Sequence, residues 1–224
     1  MLLAILLASA SAPGEALAQE PVGVELPSPG PPLDVAAPQL GAMTLNQPLH
    51  PNPSFCNAAS EGINQSIADN FLVLSLPFDI SQIVVWGIFF LDNTPGTDEY
   101  AILFHSDSGG LPGAVVEQQS GVPASRVDTG LNFADKDIYQ FTMDLASPIQ
   151  LAPGTYWIEL FNDASSQSDD FCWIQGLEDG TNGIPGHVFA SQTPGVTWIP
   201  QGGEMAILLG GTVVPVELQG FDVE

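Results

Sequence analysis

The residues of this chain that could do chemistry are mostly carboxylates and tryptophans, and one short run carries both. In residues 155–161, TYWIELF, a strand period of two puts Trp157, Glu159 and Phe161 on one face and Tyr156, Ile158 and Leu160 on the other. Glu159 is the carboxylate placed in mid-strand. Glycoside hydrolysis would need a second carboxyl group facing it across a cleft. Among 26 Asp and Glu residues such a partner can always be named, so the pairing says little. The same face reads more directly as a binding surface. Trp157, Trp173 and Trp198 offer flat apolar area to a sugar ring, with Glu159 and nearby Asp and Asn for its hydroxyls. Tryptophan also fills sandwich cores, and that alternative stands beside the first.

Metal sites are the next class. His50, His105 and His187 are scattered, without the His-x-x-x-His or Cys-x-x-Cys spacing of a zinc site. Calcium asks only for several oxygens in a loop. It is the one cofactor with candidate ligands, and none is required: Asp107, Asp169 with Asp170, and Asp179 with Asn182, besides Asp92, Asn93 and Asp98. None forms an Asp-x-Asp-x-Asp-Gly loop, and Asp or Asn in a turn also serves local hydrogen bonds. The string His105-Ser-Asp-Ser-Gly-Gly looks like the surroundings of a serine nucleophile. Such an enzyme needs a histidine base, a buried carboxylate and an oxyanion hole in fixed geometry. The histidine ahead of it, His50, lies among prolines, and Leu111-Pro112-Gly113 explains the glycines as a turn. No Gly-x-Ser-x-Gly elbow occurs. No catalytic residue is assigned, and the expectation is a protein that is not an enzyme.

The elements that must position these residues are strands. Runs at 71–76, 82–91 and 99–105 are followed by others at 138–143, 155–161, 171–175, 187–191, 196–199 and 204–209, with weaker runs at 114–118 and 125–129. Turn chemistry separates them, as in Asn93-Thr-Pro-Gly, Ala152-Pro-Gly and Gln201-Gly-Gly. No stretch keeps a helical period, because glycine or proline interrupts each one. In the second run both alternating sets are apolar, Ile83, Val85 and Phe89 against Val84, Trp86, Ile88 and Phe90. A strand with one wet face would alternate with polar residues, so this one is expected to be covered on both. About ten short strands without helical crossovers predict an all-β, two-layer antiparallel β-sandwich of jelly-roll type, with a closed barrel as the alternative.

Residues 1–18, MLLAILLASASAPGEALA, read as a secretory signal peptide: an apolar stretch, then small residues and Ala16-Leu17-Ala18 before Gln19. A basic n-region is missing, and an upstream start would supply it. Residues 19–53 are crowded with proline and read as an extended spacer. The sandwich domain is expected over 54–212 and a tail over 213–224. Cys56 and Cys172 fit export: a disulfide between them would tie the start of the domain to a late strand, the alternative being two buried thiols.

Three passages resemble a recurrent, largely uncharacterised β-sandwich module of secreted and cell-surface bacterial proteins. They are Ala68-Asp-Asn-Phe ("ADxF"), Asp107-Ser-Gly-Gly-Leu-Pro-Gly ("DxxGxPG") and Gly154-Thr-Tyr-Trp ("GTYW"). The resemblance implies the sandwich over roughly 54–212 and no catalytic residues. Val214-Pro-Val-Glu-Leu-Gln-Gly-Phe-Asp-Val-Glu is similar to a "PVELxxFxxE" segment near the C-terminus of exported bacterial proteins, where a sorting domain often follows. None follows here.

Charge narrows the partners. Two basic residues, Arg126 and Lys136, face 26 acidic ones, a net charge of −24. Such a surface repels phosphate backbones, whose binding needs Lys and Arg, so no nucleic-acid partner is expected. No segment has the length of apolar sequence that a transmembrane helix needs. The sequence therefore points to a secreted or cell-surface, non-catalytic module that binds an extracellular polysaccharide or an envelope protein. The alternatives are a structural component of a surface layer, matrix or appendage and, third, a glycoside hydrolase.

Overall fold

The computed structural model describes residues 42–59, 65–89, 98–162, 170–177, 186, 188–191 and 198–214. The expected signal peptide, residues 19–41 of the expected spacer, the tail from residue 215, and Asp169, Asp179 and His187 lie outside them. The described residues form strands and no helix. In chain order these are β1 (Ala42–Gln47), β2 (Cys56–Ala58), β3 (Gln65–Val73), β4 (Phe78–Phe89), β5 (Glu99–Asp107), β6 (Pro112–Pro123), β7 (Ser125–Phe133), β8 (Lys136–Leu151), β9 (Gly154–Asn162), β10 (Phe171–Gly176), β11 (Val188–Ser191), β12 (Ile199–Pro200), β13 (Glu204–Met205) and β14 (Ile207–Val213). No described helix is long and apolar enough to cross a membrane.

Two antiparallel sheets pack face to face, the two-layer sandwich that the strand and turn pattern predicts. The six-stranded sheet runs β12-β11-β3-β9-β5-β6. In the eight-stranded sheet β4 is central, with β8 and then β7 on one side. Its other edge is shared: β14 takes Phe78–Val85, and β10 takes Gly87–Phe89. Gly87 allows that change of partner, because a Cβ there would fall on the Phe171 ring and the Cys172 carbonyl.

Both faces of β4 are covered, as its double apolar pattern requires. Ile83, Val85 and Phe89 enter the main core between the sheets. Val84, Trp86 and Ile88 enter a second cluster on the far side, which Leu49, Cys56, Ala58, Leu131 and Phe133 help to cover. In the main core Tyr100, Phe141 and Phe171 meet edge to face, with Tyr100 and Phe171 at 5.3 Å and 84°. Arg126 lies over the rings of Tyr139 and Phe89 and pairs with Asp98 at 3.0 Å, so one of the two basic residues serves the fold.

The spacer expected over 19–53 needs correction at its end. β1 pairs with β14 from Ala42 to Gln47, and Leu45 is fully buried in the main core. Its flanking prolines, Pro38 and Pro48, bracket the strand rather than interrupt it, and β1 lies at the end of the sheet path, the position that tolerates such flanks. The folded body thus begins ahead of Ser54. The Cys56–Cys172 disulfide is present, and Ile174 and Cys172 lie opposite Cys56 and Ala58.

The hairpin joining β7 to β8 turns on Ala134 and Asp135, both at positive φ, 50° and 62°. Two-residue hairpins of this hand favour Asn-Gly, and alanine there meets a steric cost of about 1 kcal/mol. Ala134→Gly is expected to stabilise the protein by about 0.5–1 kcal/mol, read as a higher urea midpoint at unchanged slope.

Candidate functional site

β9 lies in the middle of the six-stranded sheet, with Asn70 of β3 and His105 of β5 opposite Trp157, and Ala68 and Leu103 opposite Glu159. The alternate residues Ile67, Phe71, Ile102, Phe104, Ile158 and Leu160 all enter the main core. Trp157 and Glu159 therefore share the outer face with Ala68 and His105.

On that face the side chains close on one another. The diagonal neighbours His105 and Glu159 meet at 2.8 Å between Nε2 and Oε2, and both are buried. The other ring nitrogen, Nδ1, lies 3.1 Å from the Gly113 carbonyl oxygen. Trp198, just ahead of β12, packs with Leu111 on Ala68 and Trp157. Its ring stands edge-on to His105 at 6.0 Å. Trp157 Nε1 donates to Asp107 Oδ1 at 2.9 Å. Asp107 also accepts from the Gly110 N–H, and the turn closes as Ser108 N–H donates to Leu111 O at 2.8 Å. Gly109 and Gly110 sit at φ 69° and 84°, so the glycines of the Asp-Ser-Gly-Gly string answer a backbone need.

The structure brings Trp157, Glu159, Trp198 and Asp107 together, although the sequence reading put the first three in a ligand face and the fourth in a metal group. Asp107 is occupied with the turn and with Trp157, a role that needs no cation. Asp170 stands half-buried ahead of β10. Among the described residues no group of three or more His, Cys, Asp or Glu is placed to hold a metal ion. Trp173 is elsewhere: it is fully buried in the main core, where its Nε1 donates to the Ala206 carbonyl at 2.8 Å. Every residue of β10 is buried, so this strand has no outer face on which to present a ring.

Trp157 is 3% exposed, with Trp198 and Leu111 packed against it. The aromatic area left for a partner is that of Trp198, which is partly exposed, with Asp107 and its turn exposed beside it. His105 and Ala68 were not singled out for this face. His105 could have been, by aligning the outward residues of the 99–105 run with those of 155–161. Compared with known proteins, the chain matches no family model, no curated protein and no solved structure.

Proposed function

We propose that this protein is a non-catalytic, exported binding module that takes an extracellular polysaccharide on the outer face of the six-stranded sheet. The observation that carries this reading is the gathering of Trp157, Trp198, His105, Glu159 and Asp107 on one face. The buried His105–Glu159 pair and the Asp107–Trp157 bond hold the floor of that face rigid. Trp198 then supplies a ring on which a sugar can stack, and the exposed turn 107–110 supplies hydrogen-bonding groups at its rim. Export is supported by the disulfide, a bond that persists in oxidising compartments.

The test is a glycan-array screen of the full chain, with calcium and with chelator, followed by titration under tryptophan fluorescence. Trp198→Ala should weaken binding at least about tenfold while near-UV circular dichroism keeps its folded signature. No binding in either condition, or a Trp198→Ala variant that binds as tightly as the unmodified chain, would sink the reading. A second reading, a structural component of a surface layer, matrix or appendage, draws on β6. This strand ends the six-stranded sheet and exposes Val115 by 46% and Val116 by 42%. An uncovered, apolar edge is a template for pairing with another chain. Concentration-dependent assembly in sedimentation, without glycan binding, would favour it.

A further inference from the structure

The charged groups on the outer face of the six-stranded sheet are one-sided. The chain has two Lys or Arg residues, Arg126 and Lys136. They lie in β7 and β8, both in the eight-stranded sheet, so the six-stranded sheet holds neither. Among the described residues of that sheet, His105 is the one that can still carry positive charge, and both of its ring nitrogens are engaged. A carbonyl only accepts, so Nδ1, 3.1 Å from Gly113 O, points its proton at that oxygen. Nε2 faces Glu159 Oε2 at 2.8 Å, and one proton lies between them. Whether that proton sits on the ring or on the carboxyl group, the pair is neutral overall. It has no ring N–H left for an anionic ligand. His187 lies outside the described residues.

Negative charge and acceptors, by contrast, are left over. Tyr100, Ile102 and Phe104 of β5 enter the main core, so the alternate residues, from Glu99 to Asp107, are on the outer face. Glu99 and Asp107, at the two ends of that row, are both exposed. Asp107 Oδ1 accepts from Trp157 Nε1 at 2.9 Å, and both of its oxygens share the Gly110 N–H at 3.2 Å. An ionised carboxylate has about four lone-pair sites, so the turn does not use up this one. On the other flank of Trp157, Asn70 is 4% exposed. Its Nδ2 donates to the Gly186 carbonyl at 2.8 Å, which fixes the amide, and its Oδ1 has no donor among the described residues. Acceptors thus stand on both sides of the Trp157 indole, against which Trp198 packs.

Resting on the reading of this face as a polysaccharide site, we propose that the polymer it takes carries protonated amines, as in a chain of amino sugars that are not N-acylated. Asp107 receives the ammonium group, and Trp198 stacks on the sugar ring that bears it. The carboxylate accepts a charge-assisted hydrogen bond, and the negative face of the indole attracts the same cation. The net charge of −24 raises the local concentration of a cationic polymer. A sugar acid or a sulfated sugar meets the opposite conditions. Carboxylates at both ends of the β5 row repel it, and the sheet has no Lys or Arg to bind its anion. A neutral sugar stacks on Trp198 and donates hydroxyls to Asp107, but gains no charge-assisted bond. The expected order of affinity is amine, then neutral, then acid.

The test uses the full chain in slightly acidic, low-salt buffer, which keeps the amines protonated. Three probes are titrated under tryptophan fluorescence: oligosaccharides of glucosamine, the same oligosaccharides N-acetylated, and oligosaccharides of a uronic acid. The glucosamine form should bind at least about tenfold more tightly than the N-acetylated form, with no saturable binding of the uronic acid. Asp107→Asn should abolish that tenfold preference. It keeps an oxygen for Trp157 Nε1 and the Gly110 N–H and gives up the charge. It removes one of 26 acidic side chains, so a general attraction of polycations to the chain would survive it. Equal affinity for the amine and N-acetylated forms, or undiminished preference in Asp107→Asn, would overturn the proposal and leave the polysaccharide reading standing. Binding to none of the three, with a flat glycan array, would overturn both. If Asp107→Asn does not fold, carbon-detected NMR of the unmodified chain decides. The Asp107 carboxyl carbon and the Trp198 indole must shift together on adding the glucosamine oligomer, and shifts spread evenly over the exposed carboxylates overturn the assignment.

Discussion

Replacing the bridge between β2 and β10, by Cys56→Ala with Cys172→Ala or by reduction, is expected to cost about 5 kcal/mol of stability. The linked residues are 116 apart in sequence, so the bond closes a loop that takes in most of the described strands. In the unfolded chain that loop restricts the ensemble strongly, and opening it returns the entropy to the unfolded state. The native state contributes as well. β2 is three residues long and pairs with β10, so the bridge reinforces a short attachment. Cys56 and Cys172 both belong to the apolar cluster under Trp86 and Ile88, so reduced thiols would not be left as unsatisfied polar groups. A domain of this size has about 5–15 kcal/mol in all, so the loss takes a third of it or more. Urea unfolding with and without reductant measures it. Midpoints that agree within the error of extrapolation would mean that the loop is already restricted in the unfolded chain.

The fold was legible where burial is periodic in sequence. Ile83–Phe89 carries apolar residues on both faces because one set meets the opposite sheet and the other meets β2 and the end of the β7–β8 hairpin. β9 could be divided into faces for the same reason, which placed Trp157 and Glu159 together. What sequence period cannot supply is register between strands. His105 reaches Glu159 because β5 and β9 align His105 with Trp157, and the residues concerned are 54 apart. Trp198 arrives by a longer route, through β12, β11 and β3. The β7–β8 hairpin hid because Ala134 and Asp135 hold a turn that usually announces itself with Asn and Gly. β1 hid because its apolar signal is short and prolines stand close on either side. Asp69 and Glu204 read as polar punctuation in Ala68-Asp-Asn-Phe and Glu204-Met-Ala-Ile. Their burial is a consequence of two sheets closing over them, which no local pattern records.

Trp173→Ala is expected to destabilise the protein by about 3–5 kcal/mol, the cost of deleting a large ring from a closed core. The ring is fully buried between the sheets, and β10 passes from pairing with β4 and β2 to pairing with β13 within the same six residues. A void there is hard to collapse, because β10 is fixed by hydrogen bonds on both sides and by the disulfide next to Trp173. The indole also holds Ala206, whose carbonyl would keep only the longer 3.4 Å bond from Trp86 N–H among the backbone donors. Trp173→Phe separates the two contributions. It keeps most of the apolar volume and loses the Nε1 donor, so a cost of about 1–2 kcal/mol is expected. Trp198→Ala, at a partly exposed position on the outer face, should cost less than either Trp173 change gives up in the core. The order Trp173→Ala, then Trp173→Phe, then Trp198→Ala in urea midpoints is thus an independent check on which tryptophan serves the core. It also decides how a binding assay is read. Loss of ligand in Trp173→Ala would report unfolding, whereas loss in Trp198→Ala with the midpoint preserved would report the outer face. A Trp173→Ala variant within about 1 kcal/mol of the unmodified chain would contradict the placement of this ring between the sheets.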